Sequence, residues 1–184
     1  MNMDTRTIIM NSFIKLIKEY SFDHITIQMI LDDAKISRST FYRYYCDKYD
    51  LMHGYYKQFT RQLQQFYGYS HYVDLVTDTF VFVKKNNTYF KKVSKVSGQH
   101  SWVNFITEYS MEYYLDIYKK ATGKEASRKE KMQMFLVSTG AGAVLKKWVL
   151  EGCPDNPRDL AEWIYEMLPD SVTKIIDSNT ENIN

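Results

Sequence analysis

Residues 26–45 read TIQMILDDAKISRSTFYRYY. Thr26 stands before Ile27, Ile30, Leu31 and Ala34, an apolar row at i, i+3, i+4 and i+7. Its hydroxyl can accept a bond from a first-turn amide that has no acceptor within the helix. Lys35 and Ile36 leave room only for a tight connection. Ser37 is a second N-cap, and the helix it opens runs to about Tyr45. Two short helices across a tight turn have the order and size of a helix-turn-helix.

The second of these helices has two kinds of surface. Phe41 and Tyr45 are four residues apart and pack inward together with Ile36. Arg38 and Tyr42 share another stripe, with Ser39 and Arg43 beside it. No acidic residue occurs between Asp33 and Asp47, as a phosphate-facing helix requires, because a carboxylate would repel the nucleic-acid backbone. The N-terminal part of such a helix enters the major groove. There Arg38 can pair bidentately with guanine O6 and N7, worth ~1–3 kcal/mol of base discrimination. Ser39 and Thr40 reach base edges or a thymine methyl. Tyr42 and Arg43 suit phosphates, which set register and not sequence. The cap at Thr26 presents amides to a phosphate, and Lys48 can do the same with its ammonium. The expected partner is double-stranded operator DNA, and the DNA-facing set is Thr26, Gln28, Ser37, Arg38, Ser39, Thr40, Tyr42, Arg43, Tyr44 and Lys48.

The pattern continues outward as helix. Upstream, Ile9, Phe13, Leu16, Ile17 and Tyr20 form one face of a helix from about Thr5 to Tyr20. Downstream, Asp47 opens a helix reaching about Tyr67, with Leu51, Tyr55, Phe59, Leu63 and Phe66 on one face. Further helices are predicted over Tyr72–Lys85, Asn87–Val96, Trp102–Ala121 and Arg128–Leu150. A last one runs from Pro157 to about Asp177, bent near Pro169. No segment alternates with period two. The expectation is an all-α protein of about nine helices. It divides near Gly68 to His71 into a DNA-binding domain, 1–67, and a C-terminal helical domain for dimerisation and ligand binding, 68–184.

Bulk composition narrows the classes. The 184 residues are 45% apolar, enough for a core, and carry 24 Lys plus Arg against 22 Asp plus Glu. The net charge of +2 is too mild to imply nucleic-acid binding by itself, although all of it lies in residues 1–66. The two cysteines, Cys46 and Cys153, have no metal-ligand spacing and read as reduced thiols. No signal-peptide pattern and no run of ~20 apolar residues occurs, so a cytoplasmic protein with no membrane partner is expected. There is no Gly-rich phosphate loop, metal-ligand cluster or nucleophile elbow, and the four histidines are scattered. Neither an enzyme nor a cofactor is implied.

The run ISRSTFYRYYCDKYDLM resembles the signature of the TetR family of transcriptional regulators. The matching residues are Ser37, Thr40, Phe41, Tyr42, Tyr44, Asp47, Lys48 and Leu51, with Thr26, Ile27, Ile30 and Ala34 upstream. The similarity covers roughly residues 5–60. It implies a dimer with DNA contacts on the third helix, at the N-terminus of the second and at the lysine opening the fourth. Two positions depart from the family pattern. Lys35 stands where the family has Gly, which implies strain or a different turn. Tyr45 stands where the family has Phe, so its hydroxyl needs a partner or water.

The resemblance also implies pairing and effector binding in the C-terminal half. Small residues from Ser138 to Ala143 let another helix approach closely. The expected homodimer interface is a four-helix arrangement using Gly140, Ala141, Leu145, Trp148, Leu160, Trp163, Ile164 and Met167. A pocket for a small apolar or aromatic effector would draw on Phe80, Phe82, Phe90, Trp102, Phe105, Tyr109, Tyr113 and Phe135, though an aromatic row at helical spacing is more often plain core. The run GAGAVLKKWVLEGCPDNPRDLAEWI further resembles the class related to dihydroxyacetone-kinase operon regulators. The expected function is a dimeric repressor controlled by a small-molecule effector; because some members of that class activate transcription with a protein coactivator, coactivator-dependent activation is the alternative.

Overall fold

The structure is a computed structural model that describes residues 4–67 and 71–181, with side chains placed as far as Asp177. Among the described residues there are ten α-helices, one 3-10 turn and no strand. The helices are α1 Thr5–Glu19, α2 Ile27–Ala34, α3 Arg38–Tyr44, α4 Lys48–Tyr67, α5 Tyr72–Lys85, α6 Asn87–Val93, α7 Trp102–Thr122, α8 Arg128–Leu150, α9 Pro157–Glu166 and α10 Asp170–Glu181; the 3-10 turn is Phe22–His24. The all-α expectation holds. The count rises from nine to ten because Pro169 separates α9 from α10 where a bend was expected. Its ring removes an amide and clashes with the preceding turn.

The helix starts follow from local chemistry. The Thr26 hydroxyl accepts from the Met29 amide at 3.2 Å, and the Ser37 hydroxyl accepts from the Thr40 amide at 3.1 Å. Asp47 Oδ1 accepts from the amides of Tyr49 and Asp50, both at 2.8 Å. Ser127 and Glu130 form a reciprocal capping box. Asn156 caps α9, whose first residue is Pro157.

Lys35 ends α2 in the left-handed region, φ 53° and ψ 47°. That is the conformation the family's glycine would adopt, so the lysine departure is resolved by strain and not by a different turn. An L-residue there costs roughly 1–2 kcal/mol, partly offset by glycine's larger backbone entropy when unfolded. Lys35→Gly is expected to stabilise the protein by roughly 0.5–1 kcal/mol. Urea unfolding checks this as a higher midpoint at unchanged slope.

α1, α2 and α3 close around Ile9, Phe13, Ile17, Ile25, Ile30 and Phe41, all fully buried. The same core continues through Leu51, Met52 and Tyr56 of α4 into Phe90, Trp102 and Phe105. The Tyr56 ring meets Trp102 and Phe105 edge-on at 5.3 and 5.8 Å. α6 wedges between α1 and α4: Tyr89 packs on Phe13 at 6.1 Å and donates to the Met52 carbonyl at 2.6 Å. Lys92 donates to the carbonyls of Lys18 and Tyr20 at the end of α1, at 2.9 and 3.1 Å. The helix-turn-helix is thus held from behind by α4 and α6. The expected division at Gly68 to His71 falls at the end of α4, and residues 68–70 lie outside the described residues.

In the C-terminal half α7 lies along α8, α5 along α9, and α10 against α7. Gly142 sets the α7–α8 approach: a Cβ there would meet the Val103 carbonyl oxygen at 3.2 Å and Ile106 at 3.4 Å. This part of the small-residue stretch therefore serves contact within the chain.

Candidate nucleic-acid interface

α3 is seated by Phe41, which is fully buried and pairs with Tyr45 at 6.0 Å. Its opposite side is open. Arg38, Ser39, Tyr42 and Arg43 are exposed, and Thr40 and Tyr44 are half-buried. Tyr42 is 48% exposed, with its ring edge-on to Phe41 at 5.4 Å. The inward and outward stripes read from spacing are therefore the stripes the helix presents.

Several polar groups of the expected set already have partners within the chain. The Ser37 hydroxyl caps α3 and also lies 2.8 Å from both the Ser39 and Thr40 hydroxyls. The Thr26 hydroxyl caps α2. What these residues offer a phosphate is their helix's first-turn amides. Arg38 Nη2 donates to Gln28 Oε1 at 3.3 Å, and Gln28 Nε2 donates to Asp32 Oδ1 at 2.8 Å. That chain bridges the first turns of α2 and α3 and steers the guanidinium, leaving its other donors open. The nearest upstream carboxylate, Asp33, is paired with Lys15 of α1. The hydrogen bond from Lys15 holds the Asp33 carboxyl below its usual range, and the same bond raises Lys15.

Lys48 is placed differently from the phosphate role read from sequence. Its ammonium donates to the carbonyls of Ile25 and Phe22 at 3.0 and 3.1 Å, with Asp23 at 3.5 Å, and lies 4.5 Å from the Phe22 ring centre. Lys48 thereby adds a donor to carbonyls of this turn and its exit, of which that of Phe22 also accepts from the Ile25 amide at 3.2 Å. In this structure it fixes the loop that leads into α2.

Arg6, which sequence reading did not single out, stands at the other end of α3. Its guanidinium donates to the Tyr44 carbonyl at 3.4 Å and lies 5.4 Å from the Tyr45 ring centre. Helix-terminal carbonyls attract cations, but 38 residues of separation hide that contact from any local pattern. Burial pushes the Tyr45 hydroxyl up to about 12, so it stays protonated.

α4 carries the interface to the rest of the molecule through His53, which is buried and stacked on Phe105 at 4.1 Å. Burial, reinforced by the Lys57 charge, pushes His53 down to about 4 from 6.5. Its ring is therefore neutral in the folded chain when the unfolded chain takes up a proton. The contribution is fully present above pH 6.5 and is lost progressively as pH falls through about 4. Between pH 7.5 and pH 5, wild type is expected to lose more stability to urea than His53→Leu does.

The aromatic residues considered for a pocket separate into two groups. Phe80, Tyr109 and Tyr113 line a partly open cavity of about 70 Å³, shared with Tyr56, Tyr72 and Leu145. Phe90, Trp102 and Phe105 are buried in the main core, and Phe82 stacks on Phe59 at 3.9 Å. Phe135 is half exposed on α8. The cavity wall carries no charged side chain. The Tyr72 and Tyr114 hydroxyls bond at 2.6 Å, and Tyr109 bonds Thr60 at 2.8 Å.

The residues considered for pairing separate likewise. Leu145, Trp148, Leu160 and Ile164 are buried within the chain because α8 and α9 turn them toward α5 and α7, and Ala141 is half-buried. Gly140, Trp163 and Met167 are exposed. They join Met132, Phe135, Leu136, Val144 and Leu150, which form an outward apolar row on α8. Sequence reading missed most of that row, although its spacing of three to four residues from Met132 to Val144 is visible. α8 is apolar on both sides, and the inner stripe masks the outer one. Leu136 and Met167 line the same groove, so the α8 and α9 rows are contiguous.

The C-terminal region of a TetR-class transcriptional regulator family, described as "Transcriptional regulator C-terminal region", matches residues 70–170, more than half of the chain. No curated protein matches the sequence. Among solved structures, the dihydroxyacetone kinase operon activator DhaS superposes with a TM-score of 0.62 at 18% identity, covering 92% of this chain and 97% of its own. A TetR transcriptional regulator from Streptococcus agalactiae 2603V superposes with a TM-score of 0.59 at 20% identity, covering 89% and 93%. At these identities the likeness is one of fold. With the family match over the C-terminal half, the chain belongs to the TetR family of transcriptional regulators.

Proposed function

We propose that the chain binds operator DNA sequence-specifically as a homodimer, with residues 1–67 as the DNA-binding unit and 68–184 as the pairing and control unit. The observation that carries this is α3: a short helix seated by Phe41, presenting Arg38, Ser39, Tyr42 and Arg43 to solvent without a carboxylate among them. Arg38 reads a base edge, steered by Gln28. Ser39 and Thr40 sit beside it, Tyr42, Arg43 and Tyr44 flank the backbone, and the amides behind Thr26 and Ser37 meet phosphates. Two copies pair through the exposed apolar faces of α8 and α9. Footprinting on the DNA upstream of the chain's own gene tests this. The expected result is two protected half-sites about one helical turn or a multiple apart, with affinity falling steeply as salt rises. A single unpaired half-site, or a flat salt dependence, contradicts it.

For control, the first reading is a repressor released by a small uncharged effector in the tyrosine-lined cavity. Its uncharged wall disfavours an ion, because a buried charge needs a partner. The second reading is an activator that works with a protein coactivator. Two observations favour it: the cavity's 70 Å³ is well below the ~300 Å³ at which small-molecule pockets begin, and a fold neighbour is named as an operon activator. A promoter–reporter fusion with the gene deleted separates the two. Expression rises on deletion for a repressor and falls for an activator.

A further inference from the structure

A groove of about 340 Å³ runs between the start of α1, the end of α3 and the outer face of α4. Arg6, Lys57 and Arg61 line it, with Asp50 as its one carboxylate, so its formal charge is +2. Asp50 is already engaged, accepting from the Cys46 amide at 3.2 Å. Among the described residues none of the three cations has a carboxylate within 4.0 Å. Arg6 keeps donors beyond the one given to the Tyr44 carbonyl. The Lys57 ammonium lies 5.5 Å from the Phe105 ring centre and has no hydrogen-bond acceptor among the described residues. Gln58 and Gln62 line the same groove, four residues apart on α4, adding amide donors between the charges.

We propose that this groove binds a phosphate-monoester dianion. Three cations against one occupied carboxylate match a ligand carrying close to two negative charges at neutral pH. Two guanidiniums supply the planar forks that suit phosphoryl oxygens, and the volume admits a small organic body. A DNA backbone is a poorer fit. Tyr44 and Tyr45 at the end of α3 close one end of the groove, but Arg61 lies about 20 Å along α4 from its first residue, Lys48, at 1.5 Å per residue, on a different element from the exposed side chains of α3. This site is separate from the tyrosine-lined cavity and does not rest on how that cavity is used.

Calorimetric titration of the full chain with phenyl phosphate and with inorganic phosphate, at fixed ionic strength, tests the assignment. The expected result is saturable binding of phenyl phosphate, one per chain. Arg61→Gln and Lys57→Gln should each weaken it about tenfold or more, while Arg43→Gln binds it as wild type does. In gel shifts without ligand, Arg61→Gln should hold operator DNA as tightly as wild type. Absence of saturable heat overturns the proposal, as does undiminished binding by Arg61→Gln. Loss of operator affinity in Arg61→Gln also overturns it, because the groove would then be a DNA contact. Saturable binding of inorganic phosphate alone, with none of phenyl phosphate, overturns the monoester assignment.

Discussion

Arg38→Ala is expected to weaken operator binding roughly fivefold to 150-fold per half-site, from the ~1–3 kcal/mol that a bidentate arginine–guanine pair contributes. The same variant should relax preference at one base position in each half-site. Arg38 is the first residue of α3, exposed, and steered across to Gln28 Oε1. The part of α3 that enters the groove first therefore carries a fork held by one partner, with its remaining donors free. Because Arg38 is on the surface and makes no core contact, the variant should keep wild-type stability, so lost affinity reports lost DNA contact. Arg43→Ala should instead lower affinity for cognate and random duplexes by similar factors and flatten the salt slope. Competition gel shifts over a panel of single-base operator variants measure both. Equal losses for Arg38→Ala and Arg43→Ala on every duplex would contradict the assignment.

Leu136→Glu is expected to convert the dimer to monomers and to reduce operator affinity by more than Arg38→Ala does. Leu136 is 73% exposed on α8, and Met167 beside it on α9 is 66% exposed. Large apolar side chains in a contiguous row mark an interaction surface. In a two-fold pairing each substitution enters the interface twice, and a carboxylate in an apolar interface must be desolvated without a partner. Losing the dimer removes the linkage between half-sites, and with it the effective concentration that makes the second half-site bind. Sedimentation at micromolar concentration should show wild type at twice the chain mass and Leu136→Glu at the chain mass, with an unchanged helical spectrum. A monomeric wild type would rule out this pairing.

Much of the helical architecture was legible because its signals are local. Thr26, Ser37 and Asp47 cap the helices they precede in sequence, and Lys35 signalled strain because it occupies a glycine position. The seat and the open face of α3 followed from one four-residue interval, Phe41 to Tyr45. Features set at long range were not legible. Lys48 is long and flexible, and its acceptors lie 23 to 26 residues earlier, in a turn whose position depends on the folded core. Arg6 caps α3 from the start of α1. In the C-terminal half, period alone cannot distinguish an aromatic ring facing a cavity from one filling a core. Phe80 and Phe82 are two residues apart, yet only Phe80 reaches the cavity wall. On α8 the apolar residues exceed what one face can bury, so the same composition served both α7 and the surface.

Hydrogen exchange of the full chain with and without its upstream duplex tests the role of α3 most directly. The first-turn amides of α2 and α3 other than the capped Met29 and Thr40 amides have no helical acceptors and exchange quickly in the free protein. DNA seated against Arg38, Ser39 and the cap at Thr26 should slow exchange across residues 26–45, and a scrambled duplex in high salt should not. Unchanged exchange there, on a duplex that the protein demonstrably binds, would contradict the placement of DNA against this helix.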